Sequence, residues 1–313
     1  MIKNYTIENN KILEVENKEG KIILLINPNQ AEKEKISQEY SIDIHNINSS
    51  LDPEEPARVE FDNERIELIF KRPKNYSSKD HYLFKVSSIG LFLFKERLIV
   101  ILNEDINIFS GKYFQHVIGI KEIFLKIIYN SIYHFIEHLR VINMIADEIE
   151  TKISMSMDNK YLIHMFTLEK SLVYYTSAIA SNGYALEKLR TIAKRMNFTQ
   201  RSIEYLEDIY IENSQAKNQA EIYLQVFSNL MDARASIINN NMNLWLKTLT
   251  VITIAVSIPN YFASVFGMSE FSAFVGIENV RVAFLLFFVL SVFIAWFIFY
   301  IFRKLEEKGF ISR

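Results

Sequence analysis

Seven residues near the C-terminal end recur at alternating spacings of three and four, and all but one carry a hydroxyl or an amide. They are Asn243, Leu246, Thr250, Thr253, Ser257, Asn260 and Ser264. This is the 3.5-residue period of helices in a left-handed bundle. Most of the seven lie in an uncharged apolar stretch, 248–269, which is long enough to cross a membrane. Polar groups at membrane depth normally face a bundle interior or water, so the stripe predicts a pore lining.

The same seven residues, called the polar stripe below, allow a second interpretation. Small hydroxyl residues are also enriched where membrane helices pack closely against each other. Since two helices of one chain cannot enclose a pore, the pore interpretation requires an oligomer.

Acidic residues lie on both sides of the polar stripe. Four precede it on the same predicted helix and form an acidic face beside Leu206: Glu204, Glu207, Asp208 and Glu212. Two follow it in the next loop, Glu270 and Glu278, where repetition around an axis would attract cations. Ordinary solvated charges are the alternative for both sets.

One further pattern matches a known chemistry. His134, Glu137 and His138 form the H-x-x-E-H sequence of inverzincin peptidases on a predicted helix. Histidines at i and i+4 share a face and can hold zinc. No downstream signature marks a third ligand, and the apolar neighbours Ile132 and Phe135 suit plain helix packing. A metal-dependent peptidase is therefore the least favoured function, and we expect no enzyme activity.

The elements that position the polar stripe include a second uncharged apolar stretch, 282–302, close behind the first. The short link between them predicts a transmembrane hairpin. Basic residues gather after the second stretch, at Arg303, Lys304, Lys308 and Arg313, whereas the link carries glutamates. Since short cytoplasmic flanks collect lysine and arginine, both termini are expected in the cytoplasm and the loop outside.

Length and composition describe the rest of the chain. The 313 residues leave more than 200 for a soluble part, and the net charge of −2 argues against a nucleic-acid partner. Cysteine is absent, which excludes disulfides and thiolate metal sites. The N-terminal segment lacks the basic start and continuous apolar core of a signal peptide.

Prolines and glycines separate a strand-rich part from a helical part. Residues 1 to about 115 carry short β-type runs and one helical segment, Gln30–Tyr40, which predicts an α/β or α+β domain. Examples of these runs are Lys21–Ile26, Arg65–Phe70, Tyr82–Val86 and Leu98–Leu102. From Ile120 to Phe266 the pattern is helical, and three helices are expected near 120–156, 158–197 and 200–268. The last would be about 100 Å long.

Together these patterns predict seven regions, in the order soluble domain, helices and membrane hairpin. They are a cytoplasmic α/β domain at 1–115, a helical region at 116–199, a stalk helix at 200–247, a pore-lining span at 248–269, an outer loop at 270–281, a second span at 282–302 and a basic cytoplasmic tail at 303–313.

The turn after the first span, Phe266-Gly267-Met268-Ser269, resembles that of the CorA-type divalent cation channels, whose signature there is Gly-Met-Asn. Leu51–Glu60 resembles their Asp-Pro-Glu-Glu segment, and Lys170–Tyr174 and Ile211–Ala216 resemble their helical domain. Met231–Ala233, with Asn239–Asn243, resembles their stalk. The similarity runs through most of the chain in the same order.

This resemblance implies an α+β cytoplasmic domain, long helices and a two-helix transmembrane hairpin, assembled as a homopentamer in the inner (plasma) membrane. It implies a passive channel for Mg²⁺ or another divalent ion such as Co²⁺, Ni²⁺ or Zn²⁺, with the cation as substrate and regulator and no tightly bound cofactor. Gly267, Met268 and Ser269 would form the selectivity filter. Asp208, with its acidic neighbours, would be the cytoplasmic sensor that holds the channel closed.

Serine replaces asparagine at the third filter position. Mg²⁺ keeps its water shell, and a ring of Ser269 hydroxyls would be wider and make weaker polar contacts with that shell than a ring of amides. The sequence therefore leaves open a channel of other or weak selectivity, and a two-span scaffold or receptor that does not conduct.

Overall fold

The computed structural model describes residues 1–16, 20–62, 65–76, 82–155, 159–196, 198–267, 276 and 280–307. The chain forms two compact units, Met1–Met231 and Asp232–Arg313. The division falls inside the longest helix, so one continuous helix contributes to both units.

A seven-stranded mixed sheet organises the first unit. Its strands are β1 (Ile2–Glu8), β2 (Lys11–Val15), β3 (Ile22–Ile26), β4 (Arg58–Asp62), β5 (Arg65–Pro73), β6 (Val86–Leu93) and β7 (Leu98–Leu102), in the spatial order β2-β1-β3-β7-β6-β5-β4. Neighbours are antiparallel except β3 and β7. These two strands are runs of isoleucine, leucine and valine and are buried throughout, as expected of central strands covered on both faces.

Each face of the sheet has its own apolar layer, because successive side chains of a strand point to opposite sides. Leu25 and Ile101 pack with the short helices α1 (Gln30–Tyr40) and α2 (Ile44–Ser49). Leu24 and Val100 belong to the larger core shared with the long helices. The sheet is therefore sandwiched between two helical layers.

Long helices form the rest of the described chain. They are α3 (Ile120–Met155), α4 (Asn159–Arg195), α5 (Gln200–Phe266) and α6 (Val280–Glu307). The three predicted cytoplasmic and stalk helices are confirmed to within three residues at each end, and α1 matches its predicted bounds. At 67 residues, α5 measures about 100 Å.

Polar side chains of α4 attach that helix to the sheet. The Asn182 amide accepts a hydrogen bond from the Lys71 backbone N–H at 2.8 Å and donates one to the Lys71 carbonyl at 2.9 Å. Ser171 accepts from the Phe84 N–H at 3.0 Å, and Ser181 accepts from the Ala57 N–H at 2.6 Å. All three satisfy backbone groups that the sheet leaves unpaired, which favours one register of helix on sheet.

One predicted strand is wrong. The run Tyr82–Val86 is not extended as a strand: Tyr82 has a positive φ of 68°, and the ladder begins only at Val86. The Phe84 N–H bonds to Ser171 of α4 instead of to a neighbouring strand. The sequence pattern also missed β1, β2 and β4, whose charged residues hide the apolar alternation, and the short helix α2, which has only two apolar residues.

Candidate functional site

The polar stripe lies on the exposed side of α5. All seven of its residues are exposed in the single chain. Val251, by contrast, is 8% exposed, and Ile254, Ala255 and Pro259 are half-buried. At about 100° per residue Val251, Ala255 and Pro259 lie on the side of the helix away from the stripe, and Ile254 lies next to the edge of the stripe. The apolar side of this span is thus partly covered in the single chain, and the polar side is open.

Two threonines of the stripe use their hydroxyl hydrogens within the helix. Thr250 donates to the Leu246 carbonyl at 2.8 Å, and Thr253 donates to the Leu249 carbonyl at 2.8 Å. A hydroxyl bonded in this way presents only oxygen lone pairs outward. Such an oxygen can accept a hydrogen bond from water, including water that surrounds a cation.

The Asn260 amide is different, since it has no hydrogen-bond partner among the described residues. It follows Pro259, which lies inside the helix and lacks the N–H that would bond to the Ala255 carbonyl. Asn260, like the Asn243 amide, therefore needs a polar partner from beyond the described residues.

Helix α5 ends one residue before Gly267, whose N–H donates to the Ala263 carbonyl at 3.0 Å. Its φ does not lie in the left-handed region, so this glycine ends the helix without an αL cap. A Cβ placed there would approach the Ala263 carbonyl oxygen to 3.3 Å. Met268, Ser269, Glu270 and Glu278 lie outside the described residues, and their predicted roles stay predictions.

The four stalk carboxylates have different surroundings. Glu207 forms an ion pair with Arg190 of α4 at 2.5 Å, and Glu204 accepts a hydrogen bond from Gln200 at 3.0 Å. Asp208 is exposed, while Glu212 lines a cavity of about 300 Å³ beside Arg140. No group of three or more histidine and carboxylate side chains is arranged to hold a metal within the described part of one chain.

The histidine pair of H-x-x-E-H is not arranged as a zinc site, and His138 has a packing role. His138 is 9% exposed, its Nδ1 lies 2.6 Å from the Tyr175 hydroxyl, and its ring lies 4.4 Å from that of His134. Burial, with smaller contributions from His134 and Arg72, lowers the pKa of His138 to about 3. The nearby positive charge of Arg72 and the hydrogen bond with the Tyr175 hydroxyl do not suit a zinc ligand. The described residues bring no third ligand to this pair.

The Asp-Pro-Glu-Glu segment is held in place by two residues that the sequence pattern did not single out. The Lys71 ammonium donates to the Pro53 carbonyl at 2.7 Å and to the Ser88 hydroxyl at 2.8 Å. Ser88 itself donates to the Asp52 carbonyl at 2.5 Å. Burial lowers the pKa of Lys71 to about 8. The only sequence signal was a lysine that directly follows the apolar run Leu68–Phe70 in β5.

The helices of the second unit define a membrane protein. Among the described residues one helix, over Gln200–Val265, has the length and mean hydropathy needed to cross a membrane. The second predicted span, 282–302, lies inside the 28-residue helix α6, where Leu285, Phe288 and Trp296 are more than half exposed. Large apolar side chains open to the surroundings on a helix this long are typical of contact with lipid.

Comparison with known proteins identifies the family. The model of the CorA-like Mg²⁺ transporter protein family matches residues 17–304, so the chain belongs to this family. It is similar to the cobalt/magnesium transport protein CorA of Methanocaldococcus jannaschii, with 25% identity over 292 residues and 88% of both chains covered.

Solved structures agree on the fold. The complete structure of the CorA magnesium transporter from Methanocaldococcus jannaschii aligns with a TM-score of 0.73 and 23% identity, covering 97% of this chain and 96% of the other. The full-length CmaX protein aligns with a TM-score of 0.70 and 14% identity, covering 96% of both. The ZntB cytoplasmic domain from Vibrio parahaemolyticus has a TM-score of 0.58 and 12% identity over 75% of this chain and 97% of that domain. The predicted fold class, a soluble α+β domain followed by long helices, is confirmed, and the predicted membrane hairpin is consistent with the CorA structure.

Proposed function

We propose that this protein is a passive divalent cation channel of the inner membrane, which carries Mg²⁺ and related ions such as Co²⁺ through a pore lined by the polar stripe of five copies. Family membership and the name of the cobalt/magnesium relative support the class of ion. The observation that carries the proposal is the open polar side of α5 in a span whose other side is apolar and partly covered.

The chemistry of the stripe suits a hydrated ion. Mg²⁺ gives up its water shell reluctantly, so a pore for it needs acceptors for the hydrogens of that shell. Thr250 and Thr253 present such acceptors, since their own hydrogens are bonded to the helix backbone. Asn260 adds an amide oxygen. In an oligomer each position becomes a ring around the axis.

Regulation follows from the acidic face of α5. We propose that Asp208 holds a divalent cation between neighbouring copies and that both termini face the cytoplasm, where the free ion is sensed. Bringing like charges together costs free energy, which a bound cation offsets. Within one chain Glu207 already has a counter-ion in Arg190, so Asp208, together with the half-buried Glu212, is the better candidate.

Single cysteines test the pore directly, because the natural chain contains none. Cysteines at Thr250, Ser257 or Asn260 should react with a charged aqueous thiol reagent in the reconstituted protein. Matched controls are cysteines at Ile252 and Phe262, which are 52% and 42% exposed in the single chain but lie off the stripe. Equal reaction at stripe and control positions would show that the stripe does not line water.

A non-conducting scaffold is the second candidate, and the threonine bonds favour it. Hydroxyls that are satisfied within the helix do not require water, so they also suit a dry contact between helices. Flux of Mg²⁺ and Co²⁺ into proteoliposomes separates the two candidates, since a scaffold would admit neither ion above the level of empty vesicles.

A further inference from the structure

A cavity in the first unit includes His134 and Glu137 of the H-x-x-E-H pattern in its wall and has not been assigned a role above. It has a volume of about 690 Å³ and lies between the end of β5, the loop that follows β7, and one face of α3. This volume falls in the range of sites that hold small molecules. Its wall includes the charged groups Arg72 and Lys112, the histidine His134, and the carboxamides of Asn75, Asn107 and Asn130.

Arg72 is the unusual member of this wall. Its residue is 5% exposed, yet its only hydrogen-bond partner among the described residues is Glu104, which accepts from Nη1 at 3.2 Å. A guanidinium has five N–H donors. The other nitrogens have no hydrogen-bond partner among the described residues, and Arg72 lines the cavity. A buried arginine with free donors in a cavity is arranged to accept a planar or tetrahedral oxyanion.

Lys112 supplies a second positive charge. It forms no ion pair within the described residues, and its ammonium instead lies 5.0 Å from the ring centre of Tyr113 and 5.9 Å from that of Tyr133. The two tyrosines hold the charge at the rim without neutralising it. This lysine is exposed, so its substitution leaves the core intact.

Arg72 shares its charge with Glu104 in an ion pair at 3.2 Å, whereas Lys112 has no counter-ion among the described residues. Of the two carboxylates in the wall, Asp105 lies 3.7 Å from the Lys3 ammonium, and Glu137 is exposed. His134 is half-buried beside Arg72, and burial followed by the Arg72 charge lowers its pKa. An anion next to Arg72 would therefore find a neutral imidazole donor as well.

From this geometry we propose that the cavity binds a small oxyanion, a phosphate or carboxylate group, between the free donors of Arg72 and the ammonium of Lys112. The three carboxamides complete the hydrogen bonding. The site lies wholly in the first unit and is independent of whether the membrane spans conduct.

The test is calorimetric titration of the full-length protein in detergent, without divalent metal, using inorganic phosphate and succinate in separate arms. Sodium chloride at matched ionic strength is the blank. Saturable binding of at least one oxyanion is expected. Lys112→Gln should weaken that binding roughly tenfold or more, because charge-assisted hydrogen bonds are the strong ones. Lys95→Gln removes an exposed charge outside the cavity and should change nothing.

Arg72→Lys keeps the charge opposite Glu104 and removes the forked donors, so it should also weaken binding while preserving the fold. The oxyanion that binds more tightly, inorganic phosphate or succinate, identifies the ligand group as a phosphate or a carboxylate. The proposal is overturned if neither oxyanion binds saturably, or if Lys112→Gln and Arg72→Lys bind as tightly as the parent. A loss of affinity in Lys95→Gln equal to that in Lys112→Gln would likewise show general charge attraction and no site.

Discussion

The two units of this chain place polar and apolar side chains in opposite ways. In the first, Phe70 and Phe135 are fully buried, and the buried amide of Asn182 is bonded on both sides. In the second, Trp245 is 74% exposed, and Leu285 is 65% exposed. The first unit supplies the surroundings of its own side chains. The second leaves many of its large apolar side chains exposed in the single chain.

Two asparagines show what this difference means for a single residue type. Asn182 satisfies the backbone of Lys71, and its role can be read from one chain. Asn260 has no partner among the described residues, so its role depends on what lies beyond the chain. The predictions below test how far this contrast holds, in order of decreasing effect.

The largest effect is expected from Asn182→Leu. The substitution leaves the N–H and carbonyl of Lys71 buried without partners, and each such group costs about 1–3 kcal/mol. We expect the opening free energy of β5 to fall by about 3 kcal/mol, measured by hydrogen exchange of peptides from that strand. Asn260→Leu is the matched change in the second unit and should leave β5 exchange unaltered while reducing ion flux.

Equal protection of β5 in Asn182→Leu and the parent would contradict the attachment of α4 to the sheet through this amide. Slower exchange in Asn260→Leu would instead mean that the two units are energetically coupled.

Acid should destabilise the first unit through His138. Its pKa is lowered to about 3 from about 6.5 in the unfolded chain, so the unfolded state binds the proton more tightly. The stability is fully present above pH 6.5 and is lost as the pH falls toward 3. Between pH 6.5 and 5 the loss should be about 2 kcal/mol, measured by denaturant unfolding followed by circular dichroism.

His138→Gln should remove most of this pH dependence and leave the smaller share due to His134. The control His45→Gln changes an exposed histidine and should keep the full dependence. An unchanged pH profile in His138→Gln would rule out His138 as the group that titrates.

Ser269→Asn, in the second unit, should increase the selectivity for Mg²⁺ over Co²⁺. An amide carbonyl at this position can accept from the water shell of Mg²⁺, and each such bond contributes about 1 kcal/mol. Over a ring this is enough for about a tenfold gain in Mg²⁺ uptake relative to Co²⁺, measured by competitive flux into proteoliposomes. Ser272→Asn, three residues further along the chain, is the control.

If the parent and Ser269→Asn transport Mg²⁺ and Co²⁺ in the same ratio, the third residue of the turn is not the filter. Selectivity would then come from Asn260 or another ring of the stripe.

The smallest effect concerns the acidic face of α5. Mg²⁺ at ten times its dissociation constant should stabilise the oligomer by about 1.4 kcal/mol, seen as protection from protease. Asp208→Ala should abolish this protection. Glu207→Gln should not, because Glu207 is already paired with Arg190. Retained protection in Asp208→Ala would remove Asp208 as the sensor.

Much of the fold could be predicted where the sequence pattern is long or sharply bounded. The α1 bounds follow from the Asn29 cap and its capping box with Glu32, and the long helices follow from an apolar period sustained over many turns. The error at Tyr82–Val86 has a different origin. A short apolar run indicates only a local preference for the extended conformation. Here the Phe84 N–H, which would bond to a neighbouring strand, donates to Ser171, 87 residues further along the chain.

The candidate functional residues also differ in how far the sequence could predict them. The spacing of the polar stripe placed all seven residues on one side of a helix, since side-chain direction along a helix is a local property. The cavity beside Arg72 carried no such signal. Its wall comes from β5, a loop and α3, and only packing brings these segments together.

The sequence by itself determined the long helices, the apolar spans and the polar stripe, because periodicity and hydropathy act over neighbouring residues. Only the tertiary structure decided that His138 is held by Tyr175, that Glu207 is neutralised by Arg190, and that Arg72 opens onto a cavity. These contacts join residues that are distant in the chain, and a side chain's charge, partners and exposure are set by whichever segments fold against it.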